Sequence, residues 1–222
     1  MTTVAILQPT YWARAHVWNR VFHSDIFIWL DSVKFARSST KWEDRTIVET
    51  PNGQQLVLRL PKQGSRDVPW SEARLSDGWL KHRTSILHCY ARSAHWDVVK
   101  PMLDPVYQPD ATTIEAVCWR SFCAISSLLQ PSCKVIRSSD LDVSGAKGEL
   151  MLNLVSAVGG SSYLTGQPGA AYLDQPAFAA RGIAIETQSW AAPSTKHGLK
   201  NPSIIHLVAE NGIDDTKDLL AG

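Results

Sequence analysis

Short apolar runs alternate with helical patterns along most of this 222-residue chain. The first 31 residues show the unit. "TVAILQ" (3–8) is a β-branched run ended by Pro9, and "IFIWLD" (26–31) is a second such run closed by an aspartate. Between them "AHVWNRVFHSD" (15–25) sets Val17, Trp18, Val21 and Phe22 at helical spacing. A strand, a helix and a strand form a βαβ unit, which predicts parallel strands and a right-handed crossover. The last third repeats the rhythm: "KVIRS" as strand, "KGELMLNLVSAVG" as helix, "SSYLTG" as strand, "QPAFAARG" as helix and "IAIETQSW" as strand. "PSIIHLVAENG" closes the pattern as a helix with an Asn-Gly stop. The alternation predicts an α/β fold: a mainly parallel, Rossmann-like sheet with helices on both faces.

The middle departs from that rhythm. "RTIVETPNGQQLVLRLP" (45–61) is two alternating runs around "PNG", predicting an antiparallel hairpin excursion. "SDGWLKHRTSILHCYARS" (76–93) opens on N-cap residues and continues at helical spacing. Pro101 and Pro105 should break the helix begun by "WDVV", and "TTIEAVCWRSFCAISSLL" (112–129) reads as a long buried helix with a threonine cap. No repeat and no linker divides the chain, so one domain over 1–222 is the expectation.

Composition excludes several function classes. A net charge of +1 gives no reason to expect a nucleic-acid partner. No apolar run approaches the ~20 residues that span a bilayer, and the "MTTVAILQPTYW" start lacks a secretory signal pattern, so a cytoplasmic location is expected. Cys89, Cys118, Cys123 and Cys133 have no CxxC spacing, and the seven histidines have no HxH or HExxH spacing. No metal and no cofactor are expected.

In an open α/β sheet, ligands bind beyond the carboxyl ends of the strands. Four polar clusters are predicted there: "QPTYWARAH" with Gln8 and Tyr11, "DSVKFARSSTKWEDR" with Asp31, Lys34, Trp42 and Arg45, "SSDLDVSGAKGE" with Ser138, Ser139, Asp140 and Lys147, and "TGQPGAAYLD" with Gly166 and Gly169. Each has a plain alternative: "SSD" could cap a helix, "TGQPG" could be a turn, and the cations after Asp31 could be a solvated strip. His82 and His197 could serve as general bases, since imidazole titrates near neutral pH; a surface or core histidine is the alternative for each.

Several motifs, in order, resemble the WbqC-like protein family over nearly the full length. They are Gln8-Pro9-x-Tyr11, Asp31-x-Val33-x-Phe35, Trp42-x-x-Arg45, Trp79-x-x-His82 with Tyr90 beyond, "SSDL", "AKGEL" and "YLTGQPGAAYLD" with Tyr163. The chain departs from the family at "ARAHVW", at the longer "ARSSTKW" and at His206, where an aspartate is usual. The resemblance implies a biosynthetic transferase that forms an amide. An activated acyl or glycyl-type donor, carrier-protein thioesters included, would react with the amine of a sugar or natural product. That implies His82, Asp31 or Asp140 as the base. Gln8, Tyr11, Lys34, Trp42, Arg45, Ser138, Ser139, Lys147, Tyr163, Gly166, Gly169, His197 and His206 would bind substrate. A nucleotide-dependent transferase or ligase, and a non-catalytic carrier- or sugar-binding module, stay open.

Overall fold

The computed structural model describes residues 1–35, 43–65 and 67–222. The chain begins with β1 (Thr3–Leu7), α1 (Ala15–Phe22) and β2 (Ile26–Trp29). β3 (Arg45–Glu49) and β4 (Gln55–Arg59) follow, then a 3₁₀ turn at Trp70–Glu72. Next come α2 (Lys81–Tyr90), α3 (Trp96–Leu103) and α4 (Ile114–Leu129). β5 (Lys134–Arg137) runs into a 3₁₀ turn at Ser138–Asp140, α5 (Lys147–Ala157) and β6 (Ser162–Thr165). The chain ends with α6 (Gln167–Ala170), α7 (Gln175–Ala180), β7 (Ala184–Thr187) and α8 (Ile204–Ala221). No helix among the described residues is long and apolar enough to cross a membrane.

Two compact units are woven from these elements, one from residues 1–8, 19–32 and 131–191, the other from residues 9–18, 33–130 and 192–222. The first holds the five-stranded sheet, in the order β5-β2-β1-β6-β7. Every pairing in it is parallel, as the alternating pattern predicts. Val4, Ala5, Phe27 and Ile28 are fully buried, whereas the edge strand β7 is largely exposed. That gradient explains the composition: inner strands of a parallel sheet are covered on both faces and read as continuous apolar runs, while edges carry polar residues. β1 connects to β2 on one side and β6 connects to β7 on the other, so the strand order reverses between the adjacent β1 and β6.

The second unit holds the antiparallel β3–β4 hairpin and α2, α3, α4 and α8. Aromatic stacking fills its core. Trp18 lies on Phe122 with centroids 5.0 Å apart, Trp79 on Tyr107 at 5.7 Å, and Phe35 meets Trp70 at 4.5 Å. Thr113 caps α4 by accepting from the Ala116 N–H at 3.2 Å. α2 departs from expectation: it begins at Lys81, after Leu80 in helical conformation, and no side chain caps it. The Asn211–Gly212 stop also differs. Gly212 has φ 80° and breaks the helical run, but the helix resumes to Ala221. A Cβ at Gly212 would stand 2.9 Å from the His95 ring, so close packing as well as backbone conformation favours glycine there.

Candidate functional site

Because the sheet is parallel, Gln8, Asp31, Ser138–Asp140 and Gly166 all leave it at one edge, after β1, β2, β5 and β6. Asp31 is the anchor. With 3% of its surface exposed, its Oδ1 accepts from the Ser138 hydroxyl and the Ser139 N–H, both at 2.9 Å. Its Oδ2 accepts from the Ser139 hydroxyl at 2.8 Å, and Arg137 Nη1 stands 3.7 Å away. Ser138 Oγ also receives the Ser32 N–H at 3.1 Å. A buried carboxylate needs such donors to offset its desolvation. The ends of β2 and β5 are thereby tied together.

Asp31, a candidate base, has both carboxylate oxygens engaged by donors, which suits a positioning role. The Ser138 and Ser139 hydroxyls donate to Asp31, and neither caps a helix. Asp140, by contrast, is exposed at the end of the turn they hold and makes no hydrogen bond or ion pair with a described residue. Lys147 is exposed at the start of α5 with φ 52°. Gly166 and Gly169 belong to the β6–α6 connection, and Tyr163 is buried within β6, stacked 5.9 Å from Phe178.

The second unit contains a buried chain of polar rings. Trp12 Nε1 donates to the Tyr107 hydroxyl at 2.9 Å, which lies 2.5 Å from the Tyr11 hydroxyl. Tyr11 Oη is in turn 3.2 Å from His82 Nδ1. Burial raises the pKa of both tyrosines, so each keeps its proton. The order of donation then follows. Tyr107 receives the Trp12 hydrogen and has only Tyr11 among the described residues to donate to; with that order Tyr11 donates to His82 Nδ1, the arrangement in which every hydroxyl proton finds an acceptor. Burial, with Lys81 nearby, lowers the His82 pKa to about 4, so the ring is neutral at physiological pH. In that arrangement the ring proton is on Nε2. His82, a candidate general base, is thus a neutral imidazole whose Nδ1 is engaged by Tyr11.

Trp12 itself has φ 43°, a conformation that a bulky residue rarely holds. Its N–H donates to Ser121 Oγ at 3.3 Å, and its carbonyl accepts from Thr46 at 3.2 Å and Ser203 at 3.0 Å. Strain of this kind costs on the order of 1–3 kcal/mol and persists only where surroundings over-determine it.

Other candidates are dispersed. Lys34 pairs with Asp67 at 3.0 Å, and Arg45 Nε with Asp44 at 2.9 Å. Trp42 lies outside the described residues. His197 is exposed and its ring packs against the hairpin turn at Gly53. His206 is buried, with Nδ1 unpartnered, beside a cavity of about 100 Å³ that Glu49, Arg92 and Glu210 also line. Burial lowers its pKa, while Glu210 and Glu49 oppose that shift. The described residues contain no cluster suited to a metal. The four cysteines are unbridged, and burial pushes Cys89 and Cys133 up to about 11 and Cys118 well above its usual value, which leaves those three as thiols.

Fold and site together define an α/β protein whose parallel sheet presents its polar turns on one edge, and which also carries a separate antiparallel hairpin. The chain belongs to the WbqC-like protein family, whose model matches residues 8–217. It is 25% identical over 182 residues to the uncharacterized protein Rv1507c of Mycobacterium tuberculosis (strain ATCC 25618 / H37Rv), a match covering 80% of this chain and 78% of that protein.

Proposed function

We propose that this protein is a biosynthetic transferase that forms an amide, moving an acyl or aminoacyl group from an activated donor to the amine of a sugar or natural product. The amine nitrogen attacks the acyl carbonyl, the new C–N bond forms, and the bond to the thiol or alcohol of the donor breaks. The proton lost from nitrogen goes to a base and is passed to the departing group. Asp140 is the base in this reading. The observation that carries it is the contrast within one turn: Asp31 accepts hydrogen bonds from Ser138 and Ser139, and the adjacent carboxylate is left exposed without a partner among the described residues. A fixed backbone with an unengaged carboxylate suits proton transfer, where positioning governs efficiency.

The test is product analysis by mass spectrometry after incubating the purified protein with acyl thioesters and a panel of amino sugars and amines. The reading expects an amide product without ATP, since the donor arrives activated. A strict ATP requirement with pyrophosphate release would replace it with an adenylating reaction. One observation favours that second reading, the reversal of strand order between β1 and β6, a place where sheets of this type bind nucleotides.

A further inference from the structure

Arg20 lies in the last turn of α1 with 7% of its surface exposed. Its Nε is buried without a hydrogen-bond partner, and no described residue forms an ion pair with the guanidinium. A buried charge in that condition is expensive, and truncating or pairing it is what folded proteins usually do. Burial lowers the pKa of Arg20, and the nearby Tyr163 hydroxyl opposes the shift. A guanidinium nonetheless stays protonated at physiological pH, so the charge cannot be shed as a lysine would shed it. Tyr163 offers no countercharge, because burial raises its pKa to about 12.

The location of this charge is informative. A Cβ built on Gly166 would stand 3.7 Å from Arg20 Nη2, so the missing side chain leaves that side of the guanidinium uncovered. Gly166 has φ −80° and ψ 159°, which any residue adopts, so the backbone does not demand glycine. Gly166 follows β6, one of the two adjacent strands between which the order of the sheet reverses. Open parallel sheets bind ligands outside the carboxyl ends of strands at such a point.

We propose that Arg20 and the Gly166 turn form an oxyanion subsite at the carboxyl end of β6, taking a phosphate or carboxylate group of a small-molecule ligand. The planar guanidinium matches either group with two parallel N–H bonds. The bound anion supplies the countercharge that no described residue provides. This site stands independently of the transfer reaction, because it is read by binding rather than by turnover.

The experiment is thermal denaturation of the full chain with inorganic phosphate, pyrophosphate, acetate or malonate, each matched in ionic strength by sodium chloride to remove general screening. One anion class should raise Tm in a concentration-dependent manner, as ligands of the native state do. A rise with the phosphates alone identifies a phosphoryl group, and a rise with the carboxylates alone a carboxyl group. Arg20→Met should match or exceed the wild-type Tm in anion-free buffer and lose the rise. Gly166→Ala should fold with a wild-type Tm and show a reduced rise. The proposal is overturned by a wild-type Tm that no anion raises beyond the salt control, or by Arg20→Met keeping the rise. A large loss of Tm for Arg20→Met in anion-free buffer would make Arg20 scaffolding. If that variant does not fold, Gly166→Ala decides, and an undiminished rise overturns the site.

Discussion

Ser139 meets Asp31 twice, with its N–H on Oδ1 at 2.9 Å and its hydroxyl on Oδ2 at 2.8 Å. Charge-assisted bonds of this kind are each worth about 1.5–3 kcal/mol, and removing the acceptor strands the donors. Asp31→Ala should therefore destabilise the protein by about 3 kcal/mol, while Ser139→Ala, which keeps the backbone bond, should cost about 1.5 kcal/mol. Urea denaturation measures both. An Asp31→Ala variant as stable as wild type would mean that the clasp does not hold the turn.

The His82 ring predicts a pH dependence. Its folded pKa is about 4, below the ordinary 6.5, so between those values the unfolded chain binds more protons than the folded one. The stabilisation is complete above about pH 6.5 and is lost as pH falls toward 4, amounting to about 2–3 kcal/mol at the acid end. His206, whose pKa is also lowered, acts in the same direction. Denaturation midpoints measured across this range should fall with acidification. His82→Asn, which keeps an acceptor for Tyr11, should flatten the slope; an unchanged slope would remove His82 as its source.

Tyr107→Phe should separate the two ends of the aromatic chain. The change leaves Trp12 Nε1 without its acceptor and Tyr11 without its donor, both in a buried setting. A loss of about 1–3 kcal/mol is expected in thermal denaturation. Tyr11→Phe combined with Tyr107→Phe should cost less than the sum of the single changes, since they break one network. Strict additivity would contradict the shared donation order.

Much of the fold is legible in the sequence because period and turn chemistry are local. "IFIW" reads as an inner strand from its unbroken apolar run, and "PNG" marks the hairpin through the turn it favours. The site is less legible because its partners are distant in the chain. Asp31 and Ser138 are 107 residues apart, and Tyr11 and Tyr107 are 96 apart. The "SSD" hydroxyls have a cap-like composition, and only the tertiary fold shows that they serve Asp31. Arg20 looks in sequence like an ordinary cation near a helix end; its burial is set by the tertiary fold that brings Tyr163 and Gly166 near it. Nothing in spacing alone reveals that the His82 tautomer is set by three other rings.

Asp140→Ala is the most direct test of the claim that the Asp31-held turn presents a working carboxylate. Asp140 is exposed and unpaired among the described residues, so its loss should leave Tm close to wild type. With the amide-forming assay in hand, kcat/KM should fall at least tenfold, about 1.4 kcal/mol of transition-state stabilisation. Asp140→Asn, which keeps the shape without the basicity, should fall similarly. Unimpaired turnover in folded Asp140→Ala, with or without a drop in Tm, would contradict the assignment and leave the turn as scaffold.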